Sequence, residues 1–537
     1  MRKLTKAIAV AAVAGLAATA CSGETKNSGG SSAGEGDPFI FGSGGQVTTL
    51  DPVLTSDGET FRVTRQVYDT LLDHDGVEMV PGLAESWEGS DDGLDWHFKL
   101  RSDVTFHDGS ELTGDVVCQN FDRWQTFEGE WEAVTYYWGN MFQGYGEESN
   151  YAGCEADGLD VTVSVKEASA DYPGAFSMAT FAILSPKSIE KIKDVELEDA
   201  SEMPDYSQEV GSLAGTGPFK FDSWDHSSNE ITLTRNDEYW GDKAGLETLI
   251  FKAIENEQTR RQALISGEIH GYDLVSPADV IELEKEGFNV PTRDVFNVLY
   301  LGFTEGNNPA LAKPEVRQAI AHALDRERVV DTILPEGGKV ATQFMPEGLN
   351  AWNPDVQTYE HDMDEAQDLV SSAGEDGTTL EFCYPTDVVR PYMPNVADIF
   401  EIFKANLEEA GFEVEPRAIT WTDYVQEVHN AGCELNLLGW TGDFNEAFNF
   451  LGTWFDGYKE EWGFEDEEIF DLMSEARTEP DREKRDELLS EASALIMDYL
   501  PGVPISHSPP SIVFTDDVNA PTVSPLTQED FAEMSWK

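Results

Sequence analysis

Between residues 378 and 441 the chain alternates strand and helix patterns in strict order, and this stretch restricts the possible folds most tightly. Leu380-Glu381-Phe382-Cys383-Tyr384 reads as a strand. Residues 395–410 read as a helix, with Val396, Ile399, Phe400, Phe403 and Leu407 on one stripe and Gly411 as its stop. Residues 412–419 read as a second strand, 423–431 as a short helix and 434–439 as a third strand. A βαβαβ series requires parallel strands joined by right-handed crossovers, so the fold class is α/β. Arg390 and Asp443 each follow one of these strands, and in open α/β sheets ligands bind beyond the carboxyl ends of the strands.

The two positions carry opposite charges. Arg390-Pro391-Tyr392-Met393-Pro394-Asn395 places a fixed cation at one strand end, and Gly439-Trp440-Thr441-Gly442-Asp443 places a carboxylate at another. Together they supply the charges needed to hold both ends of a zwitterion. Arginine stays charged and grips a carboxylate with two parallel hydrogen bonds. An aspartate's attraction for an ammonium strengthens in a closed, water-poor cleft. Other roles are open to each residue. Asp443 is one of 103 acids and could be a surface carboxylate, Arg390 could form a structural ion pair, even with Asp443, and Trp440 and Tyr392 could be core aromatics.

With 537 residues the chain is too long for one core and calls for two or three domains. Its 103 acids against 35 bases give a net charge of −68, spread along the whole length. Phosphate would be repelled, which excludes a nucleic-acid partner. Such a surface is tolerable where salt screens self-repulsion to within a few ångströms, so the expected source is halophilic or salt-tolerant.

At the N-terminus Arg2, Lys3 and Lys6 precede an apolar run from Ala7 to Ala18, too short for a stable membrane span. Ala18-Thr19-Ala20 then precede Cys21, which resembles a bacterial lipoprotein signal with Cys21 as the lipidated residue; an ordinary signal peptide is the alternative. Residues 22–36 are rich in Gly, Ser, Asn and Glu and read as a flexible tether. The expectation is a folded body lipid-anchored on the extracytoplasmic face of the cell membrane. Four further cysteines in an exported chain suggest two disulfides. Three pairings are possible; Cys118–Cys154 and Cys383–Cys433 are favoured because each stays inside one candidate domain.

Elsewhere Phe39-Ile40-Phe41 reads as a strand and residues 59–72 as a helix with Phe61, Val67, Tyr68 and Leu71 on one face. Alternating strands at Trp96–Leu100 and Leu159–Val165 mark 76–205 as a separate small domain. Residues 231–234 and 249–254 are further strands, 258–266 is a helix, and Pro314 opens another helix through Val316, Ile320 and Leu324.

Several motifs then fall into a familiar order. Pro81-Gly82-Leu83-Ala84-Glu85-Ser86-Trp87, Phe98-Lys99-Leu100-Arg101 and Val104-Thr105-Phe106-His107-Asp108-Gly109 resemble the signature of the extracellular solute-binding proteins, family 5. Gly215-Thr216-Gly217-Pro218-Phe219, Arg235-Asn236-Asp237-Glu238-Tyr239-Trp240 and Pro314-Glu315-Val316-Arg317-Gln318-Ala319 match further landmarks. The resemblance implies a type II periplasmic-binding-protein-like fold, two α/β lobes joined by a hinge with an extra domain on the first. Mapped onto this chain, 1–20 is the signal and 21–36 the tether. Residues 37–75 and 206–295 form the first lobe, 76–205 the extra domain, 296–500 the second lobe and 501–537 a return to the first.

The resemblance also implies a function: a monomeric, cofactor-free, non-enzymatic receptor that captures di- or oligopeptides and delivers them to an ABC permease. Arg390 then takes the ligand carboxylate and Asp443 its ammonium, with Gly439, Trp440, Thr441, Gly442 and Tyr392 around the peptide. Backbone from Gly439 to Gly442 could pair with the ligand as an added strand. Phe444-Asn445-Glu446-Ala447 departs from the Gly/Asp/Pro-rich stretch of dipeptide receptors and leaves pocket length open. An oligosaccharide or a metal chelate is the alternative cargo. A secreted hydrolase is the remaining class, and the chain has no H-E-x-x-H, G-x-S-x-G or phosphate-cradling loop. The nine histidines show no metal-ligand spacing.

Overall fold

The computed structural model describes residues 34, 36–386 and 388–537. Cys21, the signal-like segment and nearly all of the tether lie outside the described residues. Among the described residues no helix is long and apolar enough to cross a membrane, and no group of three His, Cys, Asp or Glu side chains could hold a metal ion.

The block from 378 to 441 folds as its periodicity predicts. Thr379–Pro385 runs parallel to Glu413–Ile419 on one side and to Leu435–Thr441 on the other. The helix Val396–Ala410 between the first two strands buries Ile399, Phe400, Phe403 and Leu407. Asn395 caps it by accepting from the Asp398 amide at 3.2 Å, and Gly411 ends it at a φ of 112° that only glycine adopts freely. Beyond Leu435–Thr441 the sheet turns antiparallel: Asn297–Phe303, buried at every residue, pairs with it and with Gly502–His507, which in turn pairs with Lys339–Val340. The result is a mixed six-stranded sheet.

A second six-stranded sheet has the order Ile512–Phe514, Gly271–Asp273, Phe39–Ser43, Thr248–Ala253, Glu230–Arg235, Phe219–Asp225. Phe39–Ser43 is parallel to both neighbours, and the other pairs are antiparallel. Phe39 and Phe41, two apart and so on one face, pack with Phe514 and Phe531. A four-stranded antiparallel sheet, Ala84–Gly89, Asp95–Leu100, Asp160–Val165 and Tyr151–Asp157, has its own aromatic core around Phe121, Trp124, Trp138 and Phe176. Cys118–Cys154 joins the helix Gly114–Gln125 to this sheet, and Cys383–Cys433 joins strand Thr379–Pro385 to the turn before Leu435, the favoured pairing.

Two expectations shift. The helix expected over 59–72 spans only Gly58–Thr64. The carbonyls of Gln66 and Val67 accept instead from the amides of Phe219 and Gly217, so tertiary pairing overrides the helical pattern. The chain also does not leave the second lobe at 501: Gly502–His507 still pairs there, and the return comes at Ile512–Phe514.

The chain crosses between the large sheets twice, near 293–297 and 507–512, and the crossings are tied together. The Asn297 side chain donates to the Ser508 carbonyl at 2.7 Å and accepts from its amide at 3.0 Å, while the Arg293 amide donates to the Pro510 carbonyl at 3.0 Å. On the first-lobe side Arg293, fully buried, donates to Asp273 at 2.7 Å and Glu529 at 2.6 Å; Arg62 pairs with the same two acids. Arg62 also lies 3.6 Å from Glu59, so each buried guanidinium meets at least two carboxyl groups, the pairing that makes burial of charge tolerable.

Candidate functional site

Strand Leu435–Thr441 sets the frame. One edge is fully paired, with Gly439 opposite Leu299, Trp440 opposite Val298 and Thr441 opposite Asn297. On its other edge Thr379–Pro385 pairs only at Leu435 and Asn436, so among the described residues no strand covers that edge from Leu438 onward. Gly439 and Gly442 are required by close packing: a Cβ on the first would collide with the Val298 carbonyl and the Tyr392 ring, and on the second with the rings of Phe296 and Phe450. Tyr392 is accordingly buried beneath the strand, and burial raises its hydroxyl pKa. The Thr441 hydroxyl is buried without a hydrogen-bond partner.

Asp443 sits two residues past the strand end and is partly buried. Its carboxylate accepts from the Tyr137 hydroxyl at 3.0 Å and from the Asn449 amide nitrogen at 3.2 Å. The Asn449 oxygen accepts from the Asp443 amide at 2.9 Å and from the Trp440 indole at 3.2 Å, so one residue in the helix Phe448–Phe455 orients both. Among the described residues no cation is in ion-pair contact with Asp443. Burial pushes its pKa up to about 6, against the two hydrogen bonds and the more distant Arg65 charge, which pull it down. This is a carboxylate held in place by two hydrogen bonds, with no ion-pair contact among the described residues.

Arg390 lies in a tight turn, its amide and carbonyl bonded to those of Met393 at 3.2 and 2.9 Å. Its guanidinium stacks 4.3 Å from the Trp421 ring centre, a cation–π contact. The Arg390 Nε is buried without a partner, and no carboxylate pairs with the side chain among the described residues. Arg390 and Asp443 are therefore not paired with each other. Arg390 instead faces the first lobe, lining a small void with Glu257, Leu274 and Ser276, while Asp443 faces the small domain through Tyr137.

The residues after Asp443 take a role that their sequence did not reveal. Phe444 inserts into the core of the small domain, against Gly174, where any side chain would collide with the ring. Asn445 donates to Glu78 at 3.0 Å, and Glu446 forms a buried ion pair with Arg485 at 2.8 Å. Two functional partners were also missed, Tyr137 and Asn449. Tyr137 is 306 residues from Asp443, and no local pattern connects them.

Comparison with known proteins bears on the family and the fold. The model of the bacterial extracellular solute-binding proteins, family 5 (middle region), matches residues 78–462. The dipeptide-binding protein of Escherichia coli is 26% identical over 516 residues, 93% of this chain and 94% of that protein. Di/tripeptide-binding protein 1 of Pseudomonas aeruginosa is 27% identical over 517 residues, 93% and 94% of the two chains. A Pseudoalteromonas dipeptide-binding protein, crystallised with Met-Leu, superposes with a TM-score of 0.81 at 22% identity, covering 93% of this chain and 100% of the other. The architecture is thus the type II periplasmic-binding-protein fold, and the chain belongs to the bacterial extracellular solute-binding proteins, family 5.

Proposed function

We propose that this protein is the substrate-binding lipoprotein of an ABC importer, capturing di- and oligopeptides between its lobes and handing them to a membrane permease. One observation carries the reading: Asp443 and Arg390 are both oriented by the fold, and neither has an ion-pair partner among the described residues. A zwitterionic ligand supplies both missing charges. The uncovered edge of strand Leu435–Thr441 and the unpartnered Thr441 hydroxyl offer main-chain and side-chain hydrogen bonds between the two. Relatives whose names record peptide binding align over nearly the whole chain.

In this reading Cys21 carries the lipid and residues 22–36 tether a monomeric body to the extracytoplasmic face. The acid excess is an adaptation to high salt. Thermal-shift screening of the purified protein with dipeptides, tripeptides, oligosaccharides and a nickel–histidine chelate tests the cargo. Stabilisation by peptides is expected; stabilisation by sugars or chelates alone would overturn the reading.

A further inference from the structure

A cavity of about 320 Å³ lies between the small domain and the second lobe. That volume is at the lower end of small-ligand pockets and ample for one long side chain. The helix Tyr136–Met141 forms one wall and the helix Phe448–Phe455 the other. On the latter, Asn449 and Thr453 are four apart and share the face that lines the space. Tyr137 and Asn449, the two residues that hold the Asp443 carboxylate, both line it, as does Trp440. The cavity therefore adjoins the point where the ligand's ammonium is read.

Asp171 enters this cavity from the small domain. Its side chain is buried, with 6% exposure. Its carboxylate accepts one side-chain hydrogen bond, from the Ser169 hydroxyl at 3.0 Å, which leaves most of its acceptor sites open. Among the described residues no cation is in ion-pair contact with it. Two cations also line the cavity, Lys459 and Arg477, and both are bound to Asp456, Lys459 at 3.3 Å. The Glu461 carboxylate adds its field at Lys459. Lys459 is thus answered by Asp456 and Glu461, and Arg477 by Asp456 in contact and by Asp171 at longer range. The Arg477 field reaches Asp171 as well, yet burial still pushes that carboxyl up to about 6. Asp171 is left facing the space with most of its acceptor sites open and no cation in ion-pair contact, Arg477 acting on it only from a distance, so a closer ammonium would be favoured.

Resting on the peptide reading above, we infer that this cavity takes the side chain of the ligand's first residue and selects a long basic one, with Asp171 as the specificity-determining residue. A lysine side chain fits the requirement: an apolar stem to lie along Trp440 and Phe448, and a compact ammonium with three donors for Asp171. An aliphatic chain of the same length fills the same space and leaves the acid buried and unpaired.

Calorimetry at pH 7.5 with Lys-Ala, norleucyl-Ala and Ala-Ala separates these cases, since norleucine has the lysine stem without the charge. Lys-Ala should bind the unmodified protein at least tenfold more tightly than norleucyl-Ala. In Asp171→Asn that ratio should fall to about one. Equal or tighter binding of norleucyl-Ala by the unmodified protein would overturn the inference, and this arm decides even if the variant fails to fold. A tenfold preference that persists in Asp171→Asn would also overturn it. Binding of Ala-Ala with no preference for Lys-Ala would overturn this inference and leave the peptide reading standing. Failure of all three dipeptides to bind would overturn both.

Discussion

Replacing Asp443 with Asn should make the empty protein more stable and the receptor useless. In the ligand-free protein burial lifts the Asp443 carboxyl to about 6, some two units above its ordinary value. At about 1.4 kcal/mol per unit, ionising it at pH 7 costs the folded state about 3 kcal/mol. The sign follows from proton counting. Between about pH 4 and 6 the folded chain holds a proton that the unfolded chain has lost, so stability falls as pH rises through that window and the full cost stands above it. Asparagine cannot ionise and escapes this cost. It can still accept from the Tyr137 hydroxyl, while the bond now donated by the Asn449 amide is lost, a loss of about 1 kcal/mol. The net expectation is a gain of about 2 kcal/mol at pH 7.5 that vanishes near pH 4.5. The variant should at the same time bind dipeptides at least a hundredfold more weakly, because the ligand ammonium would be buried unpaired. Urea unfolding at the two pH values, with calorimetry alongside, measures both effects. An Asn variant that is less stable by the same amount at both pH values would refute the reasoning, since the carboxylate would then be a structural partner rather than an open counter-charge.

Arg390→Lys should weaken peptide binding at least tenfold in calorimetry, because an ammonium can neither grip a carboxylate bidentately nor keep the flat stacking on Trp421. Phe444→Ala removes a 1%-exposed ring from the small-domain core and should cost about 3–5 kcal/mol in urea unfolding; a cost below about 1 kcal/mol would mean that the docking seen here is not maintained in solution. With a net charge of −68, the midpoint of thermal unfolding should climb as potassium chloride rises from 0.1 M toward molar concentrations, and a flat profile would remove the case for salt adaptation.

The sheet at the heart of the second lobe was legible because its signals are local. The stripe Ile399, Phe400, Phe403 and Leu407, the stop at Gly411 and the alternating strands around it depend only on neighbours in sequence, and all formed as read. The helix beginning at Gly58 was legible in its start and not in its end, because the backbone after Thr64 is claimed by Gly217 and Phe219, far away in sequence. Asp443 and Arg390 stood out as charges at strand ends. What surrounds them did not: Tyr137 arrives from another domain, Asn449 looks like any helix-start amide, and nothing in the sequence around Phe444 shows its insertion into the small domain. Gly439 and Gly442 were read as a flexible backbone for a ligand, and the structure adds the tighter reason that Tyr392, Phe296 and Phe450 leave no room for a side chain.

The central claim is that one cleft reads both ends of a peptide, the ammonium at Asp443 and the carboxylate at Arg390. Calorimetry with one dipeptide in three forms tests it most directly: unmodified, N-acetylated and C-amidated. The account predicts measurable binding of the unmodified form and at least a hundredfold loss for each blocked form. Equal affinity for all three would contradict it.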